Sequence, residues 1–148
     1  FMDKNTINKL AYDLTYQRYL LNKDKANYLF NDLSVGDYVV LHTVLCFEDK
    51  AYLEKLGEKL NLSISKMSNV ATNLKNRGLV IWSHDGDGSE GTYLTVTETG
   101  LKLMDKQEDK LKNYYERVIN RFGLKNTVDL IGKMTALETI MEEEMENE

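Results

Sequence analysis

The chain has 148 residues, enough for one domain with a sizeable core, and its balance of 42% hydrophobic and 29% charged residues is that of an ordinary globular protein. No apolar run approaches the length needed to span a bilayer and no secretory signal pattern is present, so the sequence predicts a cytoplasmic protein without a membrane partner. One cysteine excludes an internal disulfide, two histidines and one cysteine give no zinc-like ligand spacing, and the net charge of −5 speaks at first against nucleic acid.

The charge is unevenly distributed. Residues 53–80 hold Lys55, Lys59, Lys66, Lys75 and Arg77 against Glu54 and Glu58, whereas the tail after Lys133 holds Glu138, Glu142, Glu143, Glu144, Glu146 and Glu148 and no base. A locally positive face is therefore compatible with the total. Phe1 ahead of Met2 makes Met2 the candidate natural start, and the absence of proline fits long uninterrupted helices.

From Asp3 to Phe30 the pattern is helical. Ile7, Leu10, Ala11, Leu14 and Leu21 form one stripe, and Tyr12, Tyr16 and Tyr19 a neighbouring one. So wide an apolar surface near a terminus needs cover, inside the monomer or from a second subunit. Ser34 with Asp37 three residues on resembles a helix start, and Ser34 to Phe47 reads as a buried helix through Tyr38, Val39, Leu41, Val44, Leu45 and Phe47. Cys46 in that run reads as a small buried hydrophobe rather than a redox sensor, and His42 as a half-buried structural histidine.

Leu53 to Val80 is the stretch around which the rest is organised. Leu53, Leu56 and Leu60 form one helical stripe, Asn61 and Leu62 leave it, and Ser63 can cap the next helix. There Ile64, Met67, Val70, Ala71 and Leu74 predict a narrow buried face. The other face carries Ser65, Lys66, Ser68, Asn69, Thr72, Asn73, Lys75 and Asn76, and no acid occurs in the helix. Short hydrogen-bonding and basic side chains are what a helix needs to meet base edges and phosphates in a major groove. Gly78 ends it.

Leu79–His84 and Thr92–Val96 are rich in β-branched and aromatic residues and flank a glycine-rich tip at 85–91, which predicts a hairpin beside the helix pair, a wing. Its Asp-Gly-Asp-Gly string resembles part of a calcium loop, but Leu94 would fall where such a loop needs a bidentate glutamate. Thr97 can cap a helix running to about Phe122, Gly123 punctuates it, and Asn126 reads as the cap of a last helix striped by Leu130, Met134, Leu137 and Met141.

In this order the elements resemble the MarR (multiple antibiotic resistance regulator) family over nearly the whole chain. The residues that carry the resemblance are Leu56-Gly57-Glu58-Lys59-Leu60-Asn61-Leu62-Ser63, Leu74-Lys75-Asn76-Arg77-Gly78-Leu79-Val80, and Leu94-Thr95-Val96-Thr97-Glu98-Thr99-Gly100, which is similar to the family's Leu-Thr-x-x-Gly ending of the wing. The resemblance implies a mainly α fold with a small β-hairpin wing: a winged helix–turn–helix flanked by long dimerisation helices. It divides the single domain into an N-terminal dimerisation helix (1–33), a DNA-binding lobe (34–100) and C-terminal dimerisation helices (101–148). It implies a homodimer on palindromic double-stranded DNA, a repressor in transcription regulation. A small aromatic or lipophilic effector could release it, and Tyr12, Tyr16 and Tyr38 are the candidate lining of that site. No paired carboxylates, nucleophile–base pair or phosphate-binding glycine motif stands at a telling spacing, so the sequence predicts neither an enzyme nor a cofactor.

The family's DNA-contact role falls here on Ser63, Ser65, Lys66, Ser68, Asn69, Thr72 and Asn73, with Lys75 and Arg77 as backbone contacts. One departure stands out. The family's wing carries Asp-x-Arg, whereas this wing has Asp85, Asp87 and Glu90 with only His84 to contribute positive charge. Carboxylates beside phosphates oppose binding. Either this wing stands off the duplex, or affinity is modest, or the dimer acts mainly through protein–protein contacts with DNA binding weakened or lost.

Overall fold

The computed structural model describes residues 2–21, 29–86 and 91–147. Among the described residues nine elements follow one another: α1 (Lys4–Leu21), α2 (Val35–Cys46), β1 (Ala51–Tyr52), α3 (Leu53–Leu60), α4 (Ile64–Asn76), β2 (Val80–His84), β3 (Thr92–Val96), α5 (Glu98–Phe122) and α6 (Leu124–Glu146). They fall into two compact units, with the boundary inside α5 between Leu103 and Met104. None of the described helices is long and apolar enough to cross a membrane.

Local chemistry sets the helix starts. Asp3 Oδ1 accepts from the Thr6 N–H at 2.8 Å ahead of α1. Ser34 and Asp37 close a reciprocal capping box on α2, and the Ser63 hydroxyl accepts from the Lys66 N–H on α4, each bond satisfying a donor that the first turn leaves free. Thr97 does the same for α5, accepting from the Gly100 N–H at 3.0 Å. The turn between α3 and α4 passes through Asn61 in the left-handed conformation (φ 54°). Gly78 (φ 74°) follows the C-cap of α4 and sends the chain into β2.

The core of the first unit is built from Leu29, Leu33, Val40, Leu41, Val44, Ala51, Leu56, Met67, Ala71, Leu74, Leu79, Val80 and Leu94. The expected hairpin forms, Val80 pairing with Val96 and His84 with Thr92. A third strand joins it that periodicity does not show: β1 pairs with β3, Ala51 opposite Leu94 and Tyr52 opposite Tyr93, for a sheet order β1-β3-β2. Two residues are too few for an alternating pattern to register.

Several sequence expectations need correction. The first helix stops short of Phe30: Leu29 and Phe30 lie outside any α-helix, with Leu29 anchored in the core, and residues 22–28 lie outside the described residues. On α2 the buried side chains are Val40, Leu41, Thr43 and Val44, while Val39 (41%) and Leu45 (45%) are exposed. Cys46 is exposed too, its Sγ 3.6 Å from His42 Nδ1, one helical turn back. Ile64, expected inside, is 73% exposed at the head of α4. Asn126 is not a cap: α6 starts at Leu124 after Gly123 (φ 102°), and the Asn126 amide donates to the Phe122 carbonyl at 2.7 Å, closing the end of α5 instead.

No residue of α1 or α6 is buried. Ile7, Leu10, Leu14 and Leu21 are exposed on α1, as are Leu130, Ile131, Met134, Leu137 and Ile140 on α6.

Candidate nucleic-acid interface

The outward face of α4 is where the polar candidates gather. Ser65, Lys66, Asn69, Thr72, Asn73 and Asn76 are exposed and Ser68 is half-buried, while Met67, Ala71 and Leu74 face the core. Asn69 and Asn73 are one turn apart, so both amides stand on the same stripe. Ser63 is exposed, but its hydroxyl is already engaged as the cap. Ile64 adds one apolar point at the helix head.

The helix is held at three places. At its start the Leu62 N–H donates to the Gly57 carbonyl at 2.8 Å, and a Cβ on Gly57 would come within 3.1 Å of the Leu62 carbonyl oxygen, so glycine permits this tight approach of α3 to the turn. Midway, Trp82 Nε1 donates to the Ala71 carbonyl at 3.3 Å, tying β2 to α4, and Lys75 Nζ lies 5.2 Å from the centroid of the same indole. At its end Arg77 reaches across the lobe. Its guanidinium pairs with Asp37 at 2.7 Å, donates to the Asp32 carbonyl at 2.6 Å and lies 3.4 Å from Asn73 Oδ1. Asp37 thus serves α2 as capping residue and α4 as anchor.

The tip end of the wing holds a cluster that sequence reasoning did not find. Asp85 Oδ2 accepts from Lys50 Nζ and from the Tyr52 hydroxyl, both at 2.7 Å, and Lys50 Nζ also lies 5.0 Å from the Tyr93 ring centroid. The hydrogen bond from Lys50, then that from Tyr52, hold the Asp85 carboxyl below the usual carboxylate range. The bond to Asp85 raises Lys50 and, separately, the Tyr52 phenol above their ordinary values. A lowered aspartate contributes above its unfolded pKa and loses that contribution as pH falls through the folded one. A raised lysine contributes below its unfolded pKa and loses it as pH rises through the folded one. The pair is consequently intact across the neutral range and opens only in acid or strong base. Its groups are exposed, so it bears on local electrostatics more than on global stability. On the opposite edge His84 Nδ1 and Thr92 Oγ1 share a hydrogen bond at 3.0 Å. Asp87 and Glu90 lie outside the described residues.

The candidate effector residues form two groups. Tyr12 and Tyr16 stack on α1 with ring centroids 6.0 Å apart, and Tyr16 continues to Tyr19 at 6.1 Å. Tyr38 on α2 instead meets Phe30 edge-on at 6.0 Å and His42 at 5.9 Å. Among the described residues no group of three His, Cys, Asp or Glu side chains is placed to hold a metal ion.

No family model matches the chain, and no curated protein matches it. Solved structures do. NMB1585, a MarR family regulator from Neisseria meningitidis, is 24% identical, with 99% of this chain and 100% of that chain covered and a TM-score of 0.69. The PcaV transcriptional regulator from Streptomyces coelicolor, solved with its natural ligand, is 19% identical, with 94% and 96% covered and a TM-score of 0.70. MepR of S. aureus, solved with DNA, is 13% identical, with 95% and 99% covered and a TM-score of 0.66. Matches of this length join the three-stranded sheet, the capped helix pair and the long α5 and α6 into one conclusion: the chain has the winged helix–turn–helix fold of MarR-family transcriptional regulators.

Proposed function

We propose that the protein is a MarR-type transcriptional regulator that binds palindromic double-stranded DNA as a homodimer and represses by occupying its operator, without chemistry of its own. The observation that carries this reading is α4: an acid-free outward face presenting Lys66, Asn69, Thr72 and Asn73, on a helix fixed at both ends and at its middle. An asparagine can contact adenine bidentately, and an exposed isoleucine such as Ile64 suits a thymine methyl. Lys66 would contact phosphate. The structures of FabT and MepR with DNA show the same fold used on a duplex by those proteins.

The dimer reading rests on the exposed apolar rows of α1 and α6. The effector reading rests on the stacked tyrosines Tyr12 and Tyr16, with Tyr38 as a second element, and on the ligand-bound forms of PcaV and of the organohalide-sensing RdhR regulator. Release of DNA by a small aromatic or lipophilic molecule would follow if it favoured a dimer geometry in which the two α4 helices no longer match the groove.

Selection of bound duplexes from a random pool tests the proposal. The expected outcome is a site of two inverted half-sites about one helical turn apart, bound by a species sedimenting at twice 17.1 kDa. A 17.1-kDa monomer at micromolar concentration, or a pool that never enriches, would favour the protein-contact reading instead.

A further inference from the structure

We propose that Lys50 is a residue of the DNA interface: it is the resident counter-ion of Asp85, the carboxylate that opens the hairpin tip, and makes this end of the acidic wing tolerable beside a phosphate backbone. The inference rests on the DNA-binding reading above and concerns how the wing can flank a duplex at all.

The geometry is specific. Lys50 stands in the turn before β1, 35 residues away from Asp85 in sequence, yet its ammonium meets Oδ2 at 2.7 Å. The neighbouring Tyr52 hydroxyl takes the same oxygen, and Tyr52 is itself paired with Tyr93 across β1 and β3. The short third strand therefore fixes Lys50 against the start of the hairpin tip from the side opposite β2. The wing is in turn registered to α4, because β2 is stapled to that helix through Trp82 and Ala71. On this proposal a duplex held on the α4 face passes this end of the hairpin.

The charges decide the sign of each effect. A lone Asp85 would place a negative charge near phosphate oxygens. With Lys50 in contact the pair is neutral, and an ammonium with three donors keeps donors beyond the one given to Asp85. About 43% of the Lys50 side chain and 30% of the Asp85 side chain remain exposed, so both charges are felt at the surface.

The test is a charge cycle: Lys50→Ala, Asp85→Asn and the double variant, each titrated with duplex at two salt concentrations beside the wild type and Lys66→Ala. Lys50→Ala should weaken binding roughly three- to ten-fold by uncovering the carboxylate. Asp85→Asn should strengthen binding by a similar factor and steepen the salt dependence by about one phosphate contact. The double variant should return close to the wild type. Overlaid thermal melts serve as the check that the variants are folded. If Lys50→Ala and Asp85→Asn both bind like the wild type while Lys66→Ala weakens binding, Lys50 has no role at the interface and the α4 reading survives alone. If Asp85→Asn weakens binding, Asp85 is scaffold and the counter-ion role is overturned. If neither Lys66→Ala nor the cycle changes anything, or no duplex is bound, the DNA-binding reading falls and this inference with it.

Discussion

Replacing Gly100 by alanine should lower the melting temperature by about 5–10 °C, corresponding to roughly 2–3 kcal/mol for a chain of this size. Gly100 lies in the first turn of α5, where it packs on the strand leaving α4. An added Cβ would sit 2.5 Å from the Leu79 carbonyl oxygen and 2.7 Å from the Val96 Cγ1, distances that real Cβ atoms do not reach. The Leu79 carbonyl cannot retreat, because it accepts from the Thr97 N–H at 3.0 Å, while the Thr97 hydroxyl donates to the Gly78 carbonyl at 2.7 Å. Alanine is the better helix former by about 1 kcal/mol, so intrinsic propensity opposes the clash and loses to it. Gly132, helical in α6 with nothing within 4 Å of its would-be Cβ, is the matched control. There alanine should be neutral or stabilising, and calorimetry on the two variants should show shifts of opposite sign. Equal shifts would mean that the close approach at Gly100 is absent in solution.

The second large effect belongs to Arg77. Arg77→Ala removes the 2.7 Å pair with Asp37 and the 2.6 Å bond to the Asp32 carbonyl together, and leaves Asp37, whose side chain is only 16% exposed, without its cation. Charge-assisted hydrogen bonds of this kind contribute about 1.5–3 kcal/mol when shielded, and partial exposure of the guanidinium argues for the lower end. A fall in melting temperature of about 3–6 °C is expected. Arg77→Lys should recover only part of it, since an ammonium cannot reproduce the fork that serves two acceptors at once. The measurement also separates two roles. The sequence expectation of a phosphate contact requires a reduced salt dependence of DNA binding with an unchanged melting temperature. A clamp that fixes the end of α4 requires the reverse.

Arg77 also shows where the limits of sequence reading lie. Its partner Asp37 is 40 residues distant, and Lys50 and Asp85 are 35 apart; no local spacing marks either pair. The features read correctly are those whose cause lies within a few residues: the caps at Ser34, Ser63 and Thr97, the left-handed Gly78, and the β-branched and aromatic runs of the two long wing strands. Periodicity located the stripes on α2 and α4 but not how far each is covered. Val39, Leu45 and Cys46 therefore proved exposed, and so did Ile64, since the first buried side chain of α4 is Met67. The polar face of α4 was legible because it depends only on the pattern within one helix. The neutralised carboxylate at the start of the hairpin tip was not, because it depends on a two-residue strand bringing Lys50 to Asp85.

The most direct measurement is a titration of the selected duplex with the wild type, Lys66→Ala, Asn69→Ala and Asn73→Ala at two salt concentrations. Loss of either asparagine should cost about 1–3 kcal/mol of discrimination at particular base pairs and relax the sequence preference there. Loss of Lys66 should weaken binding to every sequence and flatten the salt dependence by about one phosphate contact. If all three variants, folded and dimeric, keep the affinity, the sequence preference and the salt slope of the wild type, α4 is not the DNA-reading helix.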